Sequence, residues 1–237
     1  MQLSDFKVLT FDCYGTLVDW ETGLLAALRP WLRRVGVVAS DDDVLAAFAA
    51  REHAVQAGNA RALYPQVLAE VHAELARHWG VAVDQRAAEQ FGQSIAAWPL
   101  FPDTIDALKY LKGHFKLVIL SNVDRVSFAF TNRRLEVAFD AVYTAQDIGS
   151  YKPSPRNFAY LIERLAEQDH PKNDILHVAQ SLFHDHVPAQ AAGLKSAWID
   201  RQAGRGGATP PTAAARYDFR FSTLAGLADA HRAEGRR

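Results

Sequence analysis

Cysteine is nearly absent from the sequence: Cys13 is the only one among 237 residues, so no intrachain disulfide can form. The sequence also lacks an excess of charge of either sign, because it has 26 basic and 27 acidic side chains. This balance argues against nucleic acid or a membrane surface as a partner. No apolar run approaches the ~18 residues of a membrane-spanning helix, and the first residues lack the pattern of a secretory signal. We therefore expect a cytoplasmic protein.

Short apolar segments alternate with helical patterns through most of the chain. The sequence predicts strands at residues 6–11, 116–122, 141–145, 175–180, 194–200 and 217–221. It predicts helices at residues 102–112, 125–135, 155–166, 187–192 and 224–231, and a surface loop at 203–215. This alternation is typical of an α/β protein whose core is a Rossmann-like parallel sheet.

One long helical stretch interrupts the alternation after the first strand. Residues 21–96 carry Ala, Leu, Arg and Glu at helical spacing, with breaks expected at Pro30, Gly36, residues 58–59 and Gly80. Ser40, followed by three Asp residues, has the pattern of a helix N-cap. We interpret residues 18–97 as an inserted all-helical cap domain, and residues 1–17 with 98–237 as the core domain.

Polar side chains follow several predicted strands at their carboxyl ends, where parallel sheets bind ligands. Asp12, Ser121 with Asn122, and Asp185 occupy such positions, and Lys152 follows a turn. Each alone fits a structural interpretation, since Asp, Ser and Asn commonly follow strands and a lone Lys is usually solvated. Their combination in this order is far more specific.

The segments DCYGT at 12–16, LSN at 120–122, YKP at 151–153 and QSLFHD at 180–185 resemble the four ordered motifs of the haloacid dehalogenase superfamily. The resemblance implies that Asp12 attacks the substrate and forms an aspartyl–enzyme intermediate, which water then cleaves. It implies that Lys152 keeps Asp12 ionised, and that the hydroxyls of Thr16 and Ser121 donate to anionic oxygens.

Two positions resemble the 2-haloacid dehalogenase branch rather than the phosphatases. Phosphatases of this superfamily usually carry a second Asp two residues after the nucleophile, which protonates the leaving alkoxide. That position is Tyr14 here, and a halide ion needs no proton to leave. An acid that helps to hold Mg²⁺ in the fourth phosphatase motif is replaced by Gln180, which weakens a magnesium site.

The substrate-binding residues are less well defined by the motifs. The cap Arg that binds halide or carboxylate in 2-haloacid dehalogenases is matched by Arg51, while Tyr14, Trp20, Ser181 and Phe183 are predicted to contact the substrate. The fourth motif of characterised dehalogenases reads like SSNxxD and differs from QSLFHD. His177 alternates with buried strand residues and is interpreted as structural, and Cys13 as a small buried residue that points away from Asp12.

The leading hypothesis is hydrolysis of the carbon–halogen bond of a short 2-haloacid, without a metal or another cofactor. One alternative is a Mg²⁺-dependent phosphatase acting on a small phosphomonoester. Another is a non-catalytic binding protein on the same fold, against which the intact set Asp12, Lys152 and Asp185 argues. The expected partner is a small carboxylic acid, and a homodimer is possible because exposed helical caps often dimerise in this family.

Overall fold

Six strands form one parallel sheet in a computed structural model that describes residues 1–202 and 215–235. They are β1 (Val8–Phe11), β2 (Lys116–Ser121), β3 (Ala141–Thr144), β4 (Ile175–Ala179), β5 (Lys195–Ile199) and β6 (Phe219–Phe221). Their order across the sheet is β3-β2-β1-β4-β5-β6. The predicted Rossmann-like parallel sheet is therefore confirmed. Of the predicted loop at 203–215, residues 203–214 lie outside the described residues.

The central strands form because nearly all of their side chains are apolar on both faces. All four residues of β1 and all five of β4 are buried, as expected for a parallel sheet covered by helices on both sides. β1 lies between β2 and β4, with Phe11 beside Ile119 and Val178. The three strands therefore end at nearly the same level, which brings the residues that follow them together.

The helices that cover the sheet follow the predicted pattern with small shifts. They are α5 (Thr104–Lys112), α6 (Arg125–Leu135), α7 (Ala145–Ile148), α8 (Pro155–Ala166), α9 (Val187–Ala191) and α10 (Leu224–Glu234). α7 was not predicted, because its first residue continues the apolar strand pattern of β3. Residues Leu182–His186, after β4, form one turn of π-helix that was also not predicted.

Apart from isolated β-bridges at Tyr14, Val18 and Leu100, the structured segments between β1 and α5 are all helical. They are α1 (Trp20–Arg34), α2 (Asp41–Gly58), α3 (Tyr64–His78), α4 (Gln85–Gly92) and a 3₁₀ turn at Ser94–Ala97. The predicted break at Pro30 is wrong, since Pro30 lies inside α1. The buried Trp31 and Leu32, which directly follow it, hold the helix in place. Ser40 caps α2 as predicted, accepting a hydrogen bond from the Asp43 amide.

The helical segment packs directly on the sheet. One cluster of buried apolar side chains runs from Phe11 in β1 to Leu28 in α1 and Phe48 in α2. Gly23 of α1 lies against the Trp98 ring, and a Cβ at residue 23 would approach that ring to 2.4 Å. The division into a core and a cap domain stays a prediction. In the part of the chain that is described, no helix has both the length and the apolar character needed to cross a membrane.

Candidate active site

Three strand ends and one loop bring the predicted catalytic residues together. Asp12 follows β1, Ser121 ends β2, and Asp185 lies in the π-turn after β4. Because β1 lies between the other two strands, these side chains meet at the same edge of the sheet. Lys152, from the loop before α8, reaches into the centre of this group.

The Lys152 ammonium connects the two carboxylates. Its Nζ lies 2.9 Å from Asp12 Oδ1, 2.6 Å from Asp185 Oδ1 and 3.0 Å from the Leu120 carbonyl oxygen. The side chain is only 1% exposed. Burial alone would lower the pKa of Lys152, but the two carboxylates outweigh burial and raise it. Lys152 therefore stays charged and offsets part of the cost of burying two acids.

Asp12 and Asp185 differ in acidity within this cluster. Burial raises the pKa of Asp12, and the attraction of Lys152 offsets this only in part. Burial also acts on Asp185, but Lys152 and His177 outweigh it and hold the pKa of Asp185 well below its usual range. Asp185 therefore stays ionised, and Asp12 becomes ionised at a higher pH than an exposed aspartate.

Both oxygens of Asp12 are held in place. Thr16 Oγ1 donates to Asp12 Oδ2 at 2.8 Å and itself accepts a hydrogen bond from the Gln180 amide at 2.9 Å. Thr16 does not line the cavity described below. Its hydroxyl therefore orients Asp12. The turn that allows this contact needs Gly15, whose φ of 101° is one that other residues rarely adopt.

Asp185 is held by His177, a residue for which the strand pattern indicates a structural role. His177 Nε2 lies 2.9 Å from Asp185 Oδ1, and His177 Nδ1 lies 2.8 Å from Thr10 Oγ1. Thr10 and His177 are direct neighbours in the pairing of β1 with β4. A polar pair facing each other in two otherwise apolar buried strands is the signal that could have revealed this contact.

Asn122 fixes the loop that carries Lys152. Its Nδ2 donates to the Lys152 carbonyl oxygen at 3.0 Å, and its Oδ1 accepts from the Lys152 amide at 2.7 Å. The neighbouring Ser121 hydroxyl is buried and has no hydrogen-bond partner among the described residues. The same is true of Asp185 Oδ2. Both residues line the cavity, so a donor and an acceptor there are free to bind a substrate or water.

A cavity of about 390 Å³ lies above this group, between the sheet edge and the helical segment. The predicted substrate-binding residues Tyr14, Trp20, Ser181 and Phe183 line it. The Trp20 indole N–H has no hydrogen-bond partner in the described ranges. The rings lining the cavity make it largely apolar, which favours reaction of a carboxylate that water cannot solvate.

Cys13 and Tyr14, the two residues that follow Asp12, have separate surroundings. The Tyr14 hydroxyl lies 2.8 Å from Thr131 Oγ1, and burial raises the pKa of Tyr14 well above its usual range. This makes Tyr14 a poor proton donor. The Cys13 side chain is fully buried, and burial raises the pKa of its thiol.

Arg51 does not line the cavity, contrary to the prediction that it binds the halide or carboxylate of the substrate. Its Nη1 donates to the Ala47 carbonyl oxygen at 2.7 Å, one turn earlier in α2. Its side chain lines a different cavity, next to Glu70 and Glu74 of α3. Neighbouring helix residues differ by about 100° in direction, so Glu52 faces the site while Arg51 does not.

The wall of the cavity that α2 and α3 form, here called the cap wall, carries polar residues that the sequence patterns did not reveal. Glu52, His53 and Gln56 of α2 and Tyr64 of α3 line it. Tyr64 donates a hydrogen bond of 2.6 Å to Glu52 Oε1, and burial raises the pKa of Glu52 to about 7. Helical spacing places residues 49, 52, 53 and 56 on one face of α2. The sequence could therefore have predicted that these residues line the site together, but not which face of α2 points toward it.

His184 also lines the cavity, from the π-turn after β4. Its Nδ1 lies 3.2 Å from Ser181 Oγ, and burial lowers its pKa to about 4. In residues 1–202 and 215–235, no group of three or more His, Cys, Asp or Glu side chains could hold a metal ion. The two carboxylates of the site already share the Lys152 ammonium, so this set of donors is poorly suited to Mg²⁺.

Comparison with known proteins agrees with this geometry. The family model for haloacid dehalogenase-like hydrolases matches residues 6–193. The chain therefore belongs to the haloacid dehalogenase-like hydrolases and is an enzyme of that class.

Among curated relatives, an (S)-2-haloacid dehalogenase from Pseudomonas putida is 28% identical over 130 residues. This alignment spans 54% of the chain and 56% of the relative, little more than half of each. The L-2-haloacid dehalogenase from Xanthobacter autotrophicus, solved with chloropropionic acid covalently bound, has a TM-score of 0.77 at 21% identity, covering 96% of this chain and 98% of that one.

A structure of YfnB from Bacillus subtilis, bound to magnesium, superimposes with a TM-score of 0.74 at 19% identity and covers 95% of this chain and 98% of that one. At these identities the superpositions show the fold alone. The fold is shared by a protein with a covalently bound acid and by one with a bound metal, so the site residues must distinguish the two chemistries.

Proposed function

We propose that this enzyme hydrolyses the carbon–halogen bond of a 2-haloacid through an ester on Asp12. The observation that carries the proposal is the position of Asp12 at the floor of an apolar cavity, with Lys152 and Thr16 each holding one of its oxygens. A carboxylate oriented in this way and shielded from water is suited to attack carbon.

In the first step, an Asp12 oxygen forms a bond to C2 of the acid, and the carbon–halogen bond breaks with its electron pair going to the halide. The Ser121 hydroxyl, which lacks a partner among the described residues, is free to donate to the substrate carboxylate. Trp20 lines the cavity, and its N–H, which has no partner among the described residues, would donate to the departing halide. With Arg51 outside the cavity, these neutral donors take over the anion binding that was expected of a guanidinium.

In the second step, water attacks the Asp12 carbonyl carbon, and the bond between that carbon and the oxygen on C2 breaks. One proton of the water passes to the oxygen on C2 and the other to solvent, which releases a 2-hydroxy acid with inverted C2. Asp185 lines the cavity, and its Oδ2, which has no partner in the described part of the chain, would accept a hydrogen bond from this water. Asp12 then regains its carboxylate with one oxygen from water. No proton is needed for the halide, in keeping with the poor acidity of Tyr14.

The test is a single turnover in heavy-oxygen water with halide release measured alongside. The label should appear first in Asp12, and Asp12→Asn should release no halide. Label found directly in the product would contradict the covalent step. Phosphate release that needs Mg²⁺ and is lost with EDTA, without halide release, would favour the phosphatase alternative instead.

A further inference from the structure

The cavity is larger than the smallest 2-haloacids require. Its volume of about 390 Å³ lies within the range of ~300–1,000 Å³ found for sites that enclose drug-sized ligands. A haloacetate has two carbons and would leave most of this space to water. The substrate of this enzyme should therefore carry a side chain on C2 that extends from the sheet edge toward the cap wall.

The cap wall presents an acceptor to that space. Glu52 accepts from the Tyr64 hydroxyl with Oε1 at 2.6 Å. Its second oxygen, Oε2, has no hydrogen-bond partner among residues 1–202 and 215–235. Gln56, one turn later in α2, is buried and lines the same wall. A carboxylate oxygen beside an apolar cavity costs free energy unless a ligand or water donates to it.

The charges around the cavity favour a donor over an anion. Among the described residues that line it, the only ammonium or guanidinium group is Lys152, which is already paired with Asp12 and Asp185. His184 is mainly neutral near pH 7, because burial lowers its pKa to about 4. Because its pKa is about 7, Glu52 is mostly ionised at pH 8. At that pH a second carboxylate on the substrate would meet the Glu52 carboxylate without an ammonium or guanidinium group to compensate.

We infer that Glu52 selects 2-haloacids whose side chain ends in an N–H or O–H donor, such as a carboxamide or a hydroxyl. The donor would bind Glu52 Oε2, while the substrate carboxylate binds near Ser121 and C2 lies over Asp12. This inference rests on the proposed function, because it assigns the part of the substrate that the catalytic residues leave free.

The test compares ligands of equal shape. 4-Amino-2-chloro-4-oxobutanoate carries a carboxamide, 2-chloro-4-methylpentanoate is its apolar isostere, and 2-chlorosuccinate carries a carboxylate at the same position. Binding is measured by calorimetry at pH 8 with the Asp12→Asn variant, which binds without turning over. The carboxamide should bind at least about 10-fold more tightly than either other ligand, the lower end of what a hydrogen bond to a charged group contributes.

Adding Glu52→Gln, which keeps an acceptor for Tyr64, should reduce the preference for the carboxamide over chlorosuccinate to less than about 3-fold. Glu70→Gln is the matched control, since Glu70 is exposed on α3 and lines another cavity, and it should leave the preference intact. Equal binding of carboxamide and isostere, no binding of either, or an unchanged preference in Glu52→Gln would overturn the inference.

Halide release by the wild-type enzyme from the same three acids separates the two proposals. Release from any of them without a preference for the carboxamide leaves the proposed function standing and rejects the role of Glu52. Failure to release halide from all three, while small haloacids are also inert, rejects the proposed function itself.

Discussion

Replacing Lys152 with Met tests whether the ammonium holds the site together. Methionine is close to lysine in length but carries no charge, so the substitution removes the group between Asp12 and Asp185 and leaves little empty space. The three contacts of Nζ, at 2.6 to 3.0 Å, are all lost. Two carboxylates then remain buried beside each other without a cation.

Removing one partner of a buried ion pair typically costs about 3–5 kcal/mol. The free energy of unfolding of a whole domain is about 5–15 kcal/mol, so the variant should fold but be much less stable. Without the ammonium, the pKa values of both carboxyls rise above those of the unfolded chain. Their unfavourable contribution is then largest at high pH and shrinks as they take up protons, so the deficit should be smaller at pH 5 than at pH 8.

The assay is urea unfolding of wild type and variant at pH 8 and pH 5, followed by tryptophan fluorescence. Lys7→Met is the matched control, because Lys7 pairs with Asp174 at 3.1 Å but its side chain is 68% exposed. That loss should stay below about 1 kcal/mol. A loss for Lys152→Met as small as the control, or one that does not change with pH, would refute this account of the site.

Four further outcomes follow from the same geometry. Asp12→Asn should abolish turnover yet keep or raise the melting temperature at pH 8, because the raised pKa of Asp12 means that its ionised form is costly in the folded state; a clear loss of stability would contradict this. In the wild type, kcat/KM should fall as pH drops, with an apparent pKa above that of an exposed aspartate at ~3.9, and a flat profile down to pH 4 would count against the nucleophile being Asp12. Trp20→Phe, which removes only the indole N–H and part of the ring, should lower kcat for halide release by about 10-fold, whereas an unchanged kcat would exclude this N–H from halide binding. Ser121→Ala should raise KM more than it lowers kcat if its hydroxyl holds the substrate carboxylate.

The order of strands and helices in the core could be predicted because each strand is buried on both faces. Such strands leave long apolar runs in the sequence, unbroken in residues 117–120 of β2 and interrupted only by His177 in residues 175–179 of β4. Short elements were missed where no such run exists. The π-turn at Leu182–His186 and the four-residue α7 have too few residues for a periodic pattern to emerge.

At Pro30 the sequence predicts a helix break that the structure does not have. A proline inside a helix removes one hydrogen bond and usually ends the helix, so the sequence predicts a break. α1 continues because Leu24, Leu28, Trp31 and Leu32 bury one face of it against the rest of the protein. Local propensity was outweighed by tertiary packing, which a sequence pattern does not contain.

The residues near Asp12 were easier to predict than those of α2 and α3. Their positions depend on where strands end, and strand ends are visible in the sequence. Which face of α2 points at the site depends on how that helix packs, and a shift of one residue exchanges Arg51 for Glu52. That single difference changes the expected substrate, because an anion-binding guanidinium is replaced by an acceptor.

The lone Cys13 thiol has a practical consequence for experiments on motion between the helices and the sheet. Thiol-directed dyes react with the thiolate, and burial both shields this sulphur and raises its pKa. A cysteine introduced at the fully exposed Val38, in the loop between α1 and α2, should therefore take up a maleimide label while the native one stays unmodified. A fluorescent reporter can thus be attached to the protein without first deleting the residue beside Asp12.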